Sequence, residues 1–245
     1  MTVRVLVVEH ETDAGIGLVG ERMRAAGIHL HTVGPETGRG IPPTAAGFDG
    51  VVVLGGRPGP TDDETAPWLP AVRALMSQCL YDEVPLLGIC LGAQLLAVAA
   101  GGSVDRIPDG PEIGLGELTL TDAAAEDPLL HDLPAQLRSL QWHALQVDVL
   151  PADSVSLCTS ERCVNQAFRV GPVAWGLQFH LEALAGTAEA WGKGDGEALA
   201  EMGTTSVAVV EAVRRAEPTL RATWSHVADR WARLVLESRA RRGAA

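Results

Sequence analysis

The sequence predicts an α/β protein built on a mostly parallel, twisted sheet flanked by helices, with antiparallel strands at its edge. Three observations carry this. Short β-branched runs end in glycine-rich turns. They alternate with stretches of helical spacing, the order that lays parallel strands beside crossover helices. In the middle of the chain the helices give way to short strands joined by turns.

Residues 3–8 form an almost unbroken β-branched run, the pattern of a strand buried on both faces. A helix is expected around residues 17–26 and a short strand at 29–33. Residues 51–54 read as another buried strand, ending in the loop-forming Gly55-Gly56-Arg57-Pro58-Gly59-Pro60. Helical spacing resumes over 68–81, where Asp62-Asp63-Glu64 upstream read as an N-terminal cap region. Residues 84–89 form a third apolar strand, and 91–100 a helix stopped by Gly101-Gly102. Strands follow at 117–121, 137–142, 146–150, 154–159, 167–170 and 173–178. Residues 187–197 contain Gly192, Gly194 and Gly196, so a loop is expected there. Leu220, Trp224, Val227, Trp231 and Leu234 then fall at helical spacing, an apolar stripe packed on the core or, alternatively, a subunit interface. The expected organisation is a domain over residues 1–190 with a C-terminal helical extension, 191–245, packed on it.

With 245 residues and 47% hydrophobic content, the chain is large enough for one sizeable core. No apolar run is long and charge-free enough to span a bilayer, so no membrane partner is expected. The first ten residues lack a basic region followed by a cleavable apolar stretch, and a cytoplasmic protein is expected. The formal charge of −12 repels phosphate backbones and argues against nucleic acid as a partner. Arg239, Arg241 and Arg242 read as a frayed, solvated tail. Of the four cysteines, Cys79, Cys158 and Cys163 read as small buried hydrophobes, and no CxxC spacing suggests a metal. His29, His31, His131 and His226 have no metal-like partner spacing either, and His10 reads as a solvated loop residue. No metal or cofactor is expected.

Cys90 has a different setting, in Gly88-Ile89-Cys90-Leu91-Gly92-Ala93-Gln94. A strand runs straight into it and a helix begins after it, so its side chain is pushed out at the sheet edge. Gly88 and Gly92 leave room for the tight turn, the logic of a nucleophile elbow. The helix N-terminus favours a thiolate, the reactive form of cysteine. The alternative is a buried cysteine at a glycine-rich strand end. Downstream, His180 and Glu182 are two apart, which directs both side chains to one face of a strand end. A glutamate so placed can fix the imidazole tautomer.

The Cys90 segment resembles the nucleophile motif of class I (triad-type) glutamine amidotransferases. Gly176-Leu177-Gln178-Phe179-His180-Leu181-Glu182 resembles their Gln-Phe-His-Pro-Glu block. The two stand in the family's order, and the resemblance covers roughly residues 3–182. Leu54-Gly55-Gly56, Glu112-Ile113-Gly114, Trp142-His143 and Asn165-Gln166-Ala167-Phe168 support it, and the likeness is greatest to stand-alone, GMP-synthase-like members.

The resemblance implies a flavodoxin-like class I amidotransferase fold and a Cys90–His180–Glu182 triad. It implies that Cys90 attacks the side-chain amide of glutamine and that His180 protonates the departing ammonia. Water then hydrolyses a γ-glutamyl thioester. The N–H groups of Gly56 and Leu91 would form the oxyanion hole. Gln94, Ala144 and Leu145 would contact the substrate. The ammonia would pass to a separate synthetase subunit, since the chain has no P-loop motif. A γ-glutamyl peptidase or hydrolase acting on a conjugate is the second reading, and a non-catalytic regulatory or binding subunit the third. Two departures matter. Leu181 stands where the family usually has proline, so local backbone loosening is expected. Ala144-Leu145-Gln146-Val147 replaces a polar stretch with an aspartate, which leaves the substrate open between glutamine and a γ-glutamyl compound.

Overall fold

The computed structural model describes residues 2–244. Strand β1 (Arg4–Val8) shows why an unbroken apolar run makes a central strand. Its side chains alternate between faces. Val5 and Val7 enter one hydrophobic cluster, Leu6 and Val8 the other. Neighbouring β3 (Gly50–Val53) and β4 (Leu86–Ile89) divide in the same way, Val52, Leu87 and Ile89 to the first cluster and Val51, Val53 and Leu86 to the second. Two cores therefore lie on opposite faces of one sheet.

That sheet has nine strands. With β2 (His29–Val33), β6 (Glu112–Leu120), β7 (Gln136–His143), β9 (Ser154–Thr159), β10 (Ala167–Val170) and β11 (Ala174–Leu177), its order is β2-β1-β3-β4-β11-β10-β9-β6-β7. Pairing is parallel from β2 through β11 and antiparallel beyond. Helices α1 (Gly17–Ala25), α4 (Ala185–Gly192) and α6 (Ser206–Ala244) cover the first core, and α2 (Leu69–Tyr81) and α3 (Leu91–Ala99) the second. The α/β class with antiparallel strands at one side is thus as expected.

Several local expectations are corrected. Strand β5 (Ser103–Arg106), not foreseen after Gly101-Gly102, pairs antiparallel with β8 (Leu145–Val149) in a separate two-stranded sheet. Residues 187–197 are largely helical, in α4 and the start of α5 (Gly196–Glu201). Gly192 marks a close approach there, since a Cβ on it would lie 2.2 Å from Ser206 Oγ at the start of α6. Helix α4 also runs across the expected boundary at residue 190. The acidic run precedes α2 by several residues. Asp62 Oδ2 accepts the Gly59 N–H at 2.7 Å, and Asp63 forms a two-pronged pair with Arg73 at 2.9 and 2.7 Å.

The stripe on α6 faces inward. Leu220, Trp224, Val227 and Trp231 are buried, and Leu234 partly so. Arg239 and Arg242, expected to be solvated, both approach the buried Asp49 carboxylate, at 3.3 and 3.6 Å. A buried carboxylate needs such partners, and burial of Asp49 could not be read locally. Among the described residues, no helix is long and apolar enough to cross a membrane.

Candidate active site

β4 ends at Ile89, Cys90 follows, and α3 begins at Leu91. Cys90 has φ 51° and ψ −108°, a conformation L residues rarely adopt and one that surrounding structure must enforce. Here the Cys90 N–H donates to Leu177 O at 2.8 Å, and the Gly92 N–H donates to Leu54 O at 3.1 Å. Glycine makes the packing possible. A Cβ on Gly92 would lie 2.0 Å from Val53 O, and one on Gly88 2.4 Å from Gly92 O. The strand, turn and helix meet at backbone contact, and the Leu91 N–H is left among the orphan donors of the helix start.

The Gly55–Gly56 loop after β3 lies beside this turn. A side chain at Gly55 would come within 3.0 Å of His180 Cε1 and 3.5 Å of Cys90 Cβ. Among the described residues no acceptor meets the Gly56 N–H. The loop rests on His10, whose Cβ would lie 2.9 Å from a Cβ on Gly56. His10 is buried, not solvated as expected. Its Nδ1 accepts the Trp68 indole N–H at 2.9 Å, and burial pushes its pKa down to about 4, so the ring is neutral.

His180 and Glu182 follow β11 in an extended segment tied to β7. The His180 N–H donates to Leu140 O at 2.9 Å, and Ser139 Oγ donates to His180 O at 3.2 Å. Leu181, between them, is 1% exposed, so the loosening expected from the missing proline is not seen. His180 Nδ1 lies 2.7 Å from Glu182 Oε1, both side chains being buried. Its ring also hydrogen-bonds Cys90 and meets the edge of Trp191, centroids 4.6 Å apart. Burial pulls the His180 pKa down, but the charges of Glu182 and Cys90 outweigh it and raise it to about 10. The cluster therefore favours an imidazolium between two anionic partners.

A cleft of about 330 Å³ opens over Cys90. Cys90, His180, Gly56, Gln94, Ala144 and Leu145 all line it. Glu182 stands behind His180, and the Leu91 side chain is buried away from the cleft. Gln94 Nε2 donates to Gln178 Oε1 at 3.1 Å and to Leu145 O at 3.4 Å. The Leu145 carbonyl also lies 2.8 Å from His143 Nδ1. The other nitrogen of His143 is 3.2 Å from Glu112 Oε2. Glu112 further accepts Ser160 Oγ at 2.7 Å and Gln166 Nε2 at 2.6 Å. Burial pushes the Glu112 carboxyl up, yet His143, Ser160 and Gln166 together hold it below the usual carboxylate value. Glu112 and His143 thus anchor the backbone at 144–145. Asn165 donates to Val147 O at 3.0 Å, so the Asn165–Gln166 segment supports the cleft from behind rather than lining it.

The cleft also holds residues the sequence reading did not single out: Glu11, Arg57, Trp191, Asp195 and Ala198. The one local signal was Trp191, a large aromatic among glycines, which needs a partner to be buried. Among the described residues no group of side chains suited to a metal ion is present.

The class-I glutamine amidotransferase family model matches residues 17–191. The glutamine amidotransferase-like protein YfeJ of Salmonella typhimurium is 32% identical over 182 residues, 73% of this chain and 75% of that protein. A separate subunit of the glutamine-hydrolysing GMP synthase of Pyrococcus abyssi is 39% identical over 105 residues, 42% of this chain and 54% of that protein. The crystal structure of a glutamine amidotransferase from Thermotoga maritima matches with a TM-score of 0.84 at 30% identity, covering 95% of this chain and 99% of that one. The chain belongs to the class I glutamine amidotransferase family.

Proposed function

We propose that the protein hydrolyses the side-chain amide of glutamine through Cys90, His180 and Glu182 and passes ammonia to a separate acceptor enzyme. The observation that carries this is the buried Glu182–His180 pair, 2.7 Å apart, with the imidazole hydrogen-bonded to Cys90 on the strained turn. The Cys90 thiolate attacks the δ-carbonyl carbon, and the negative charge moves to the carbonyl oxygen. The N–H groups of Gly56 and Leu91 are available to receive that oxyanion. His180 gives its proton to the amide nitrogen as the C–N bond breaks, releasing ammonia and leaving a γ-glutamyl thioester. Neutral His180 then takes a proton from water, whose oxygen attacks the thioester. Collapse releases glutamate and restores the thiolate beside the imidazolium. Glu182 holds the ring's orientation throughout. The relation to a GMP synthase subunit supports a separate synthetase partner, and the cytoplasm is the compartment such a pairing suits.

A second reading is favoured by one observation. Pro111, Ile113 and Ala198 extend an apolar wall of the cleft, room that ammonia does not need. A γ-glutamyl conjugate would use it, with an amine as leaving group and the same steps. Intact-protein mass spectrometry after incubation with glutamine and with γ-glutamyl amides, together with ammonia release, tests both. Ammonia from glutamine with a γ-glutamyl adduct on Cys90 supports the first reading. An adduct formed only from conjugates supports the second. No adduct from either, with Cys90 intact, sinks both.

A further inference from the structure

A γ-glutamyl substrate carries an α-ammonium and an α-carboxylate, and each needs a partner once it leaves water. Two carboxylates and one guanidinium line the cleft: Glu11, Asp195 and Arg57. Glu11 is committed. Its Oε1 accepts the Arg57 N–H at 2.7 Å and its Oε2 the Arg57 guanidinium at 2.8 Å. Asp13 adds a second contact to that guanidinium at 3.5 Å. Asp195 is different. Its Oδ2 accepts the Trp142 indole N–H at 2.6 Å, and among the described residues no donor meets its Oδ1.

Local geometry makes the same point. Asp195 occupies the N-cap position of α5 but makes no capping bond. An aspartate there ordinarily bonds the N–H groups of the first turn. Here the carboxylate turns to Trp142 and the cleft instead, and a local preference set aside in this way is typical of functional positions. Trp142 also sets the spacing. Its carbonyl oxygen is 4.0 Å from Cys90 Sγ, while its indole nitrogen holds Asp195. The carboxylate thus stands about one tryptophan side chain from the nucleophile. The short aliphatic chain between the δ-carbonyl and the α-nitrogen of a γ-glutamyl group has a comparable reach. Trp142 and Trp191, ring centroids 5.6 Å apart, supply apolar surface for that chain.

We propose that Asp195 binds the α-ammonium of a γ-glutamyl substrate and so restricts the cleft to γ-glutamyl compounds with a free amino group. The proposal rests on the γ-glutamyl reading above. It gives the C-terminal segment beyond the family match a part in substrate choice.

Asp195→Asn keeps an acceptor for the Trp142 indole and removes the charge, so it separates binding from folding. The wild-type protein is expected to favour glutamine over glutaramic acid, the analogue without the amino group. D195N should lose about tenfold or more in kcat/KM on glutamine, through KM, and nothing on glutaramic acid. Equal losses on both, or none on glutamine, overturn the proposal. Calorimetry with L-glutamate against glutarate reads the same selectivity without catalysis. The wild type should prefer L-glutamate, and D195N should not. A wild-type protein that binds both alike, or neither, overturns the ammonium site even if it releases ammonia. One that prefers L-glutamate yet releases no ammonia refutes glutamine hydrolysis and leaves the site standing.

Discussion

At the scale of single residues the site is an electrostatic arrangement, and its pH behaviour follows from it. The His180 pKa is raised from 6.5 to about 10 in the fold. Its charge therefore contributes to stability fully below pH 6.5, and the contribution is lost as pH rises through about 10. Glu182→Gln removes the larger of the two attractive charges, so the alkaline limb of the activity profile should move to lower pH. A pH–rate series on both proteins checks this, and an unmoved limb would show that Glu182 does not set the imidazole. Cys90 should also be chemically distinct. Burial pushes the thiols of Cys79, Cys158 and Cys163 up to about 12, so they are inert at neutral pH. Iodoacetamide at pH 7 followed by peptide mapping should find label on Cys90 alone. Cys90→Ser should lower turnover by a factor of ~10⁴ or more, because the hydroxyl lacks a base poised for it.

At the scale of elements, what was legible in the sequence was what is local. The strand–Cys90–helix turn is encoded within seven residues, and two glycines announce its backbone contacts. Gly92→Ala places a methyl 2.0 Å from a carbonyl oxygen, which only a shift of strand or helix can relieve. A loss of ~3 kcal/mol or more is expected in chemical denaturation, with activity gone even where the protein stays folded. His180 and Glu182 were legible as a pair, although the segment that holds them is fixed by β7 rather than by a strand of its own. The rest depends on distant partners. His10 is buried because Trp68 and Gly56 close over it, and α4 is helical because α6 packs on it through Gly192 and Ser206. No window of sequence contains both halves of either contact. The Glu112–His143 support was visible only as two motif fragments. Glu112→Gln should raise KM more than it lowers kcat, since it loosens the backbone at 144–145 without touching Cys90. The folded-state pKa of Glu112 is depressed, so its stabilisation is present above pH 4.5 and lost as pH falls through the lowered value. Acid unfolding of E112Q should accordingly be less steep than that of the wild type.

At the scale of the whole molecule, the question is what holds α6 to the sheet. Ion pairs are the visible answer: Arg22–Asp229 at 2.8 Å and Arg221–Glu21 at 2.7 Å. Their side chains are a third or more exposed, and such pairs contribute ~0–1 kcal/mol once water and salt screen them. The aromatic stripe is the stronger candidate. Trp231 is 0% exposed, and its Cη2 would lie 3.2 Å from a Cβ on Gly50, the first residue of β3. Trp224 is 1% exposed, donates its indole N–H to Arg138 O at 3.1 Å, and packs on Phe179 with centroids 4.9 Å apart. These two rings seat α6 against the strand that leads to the Gly55–Gly56 loop and against the segment that carries His180. Trp231→Ala should therefore cost ~3–5 kcal/mol, the usual range for emptying a core aromatic site. Asp229→Ala should cost no more than ~1 kcal/mol. Urea denaturation of both variants beside the wild type makes the comparison. If the two losses are equal, surface charge rather than the aromatic stripe seats the helix. Because Trp231 bears on β3 and not on Cys90 itself, W231A protein that remains folded should show a damaged oxyanion loop before a damaged nucleophile. Its alkylation at Cys90 should continue while its turnover falls.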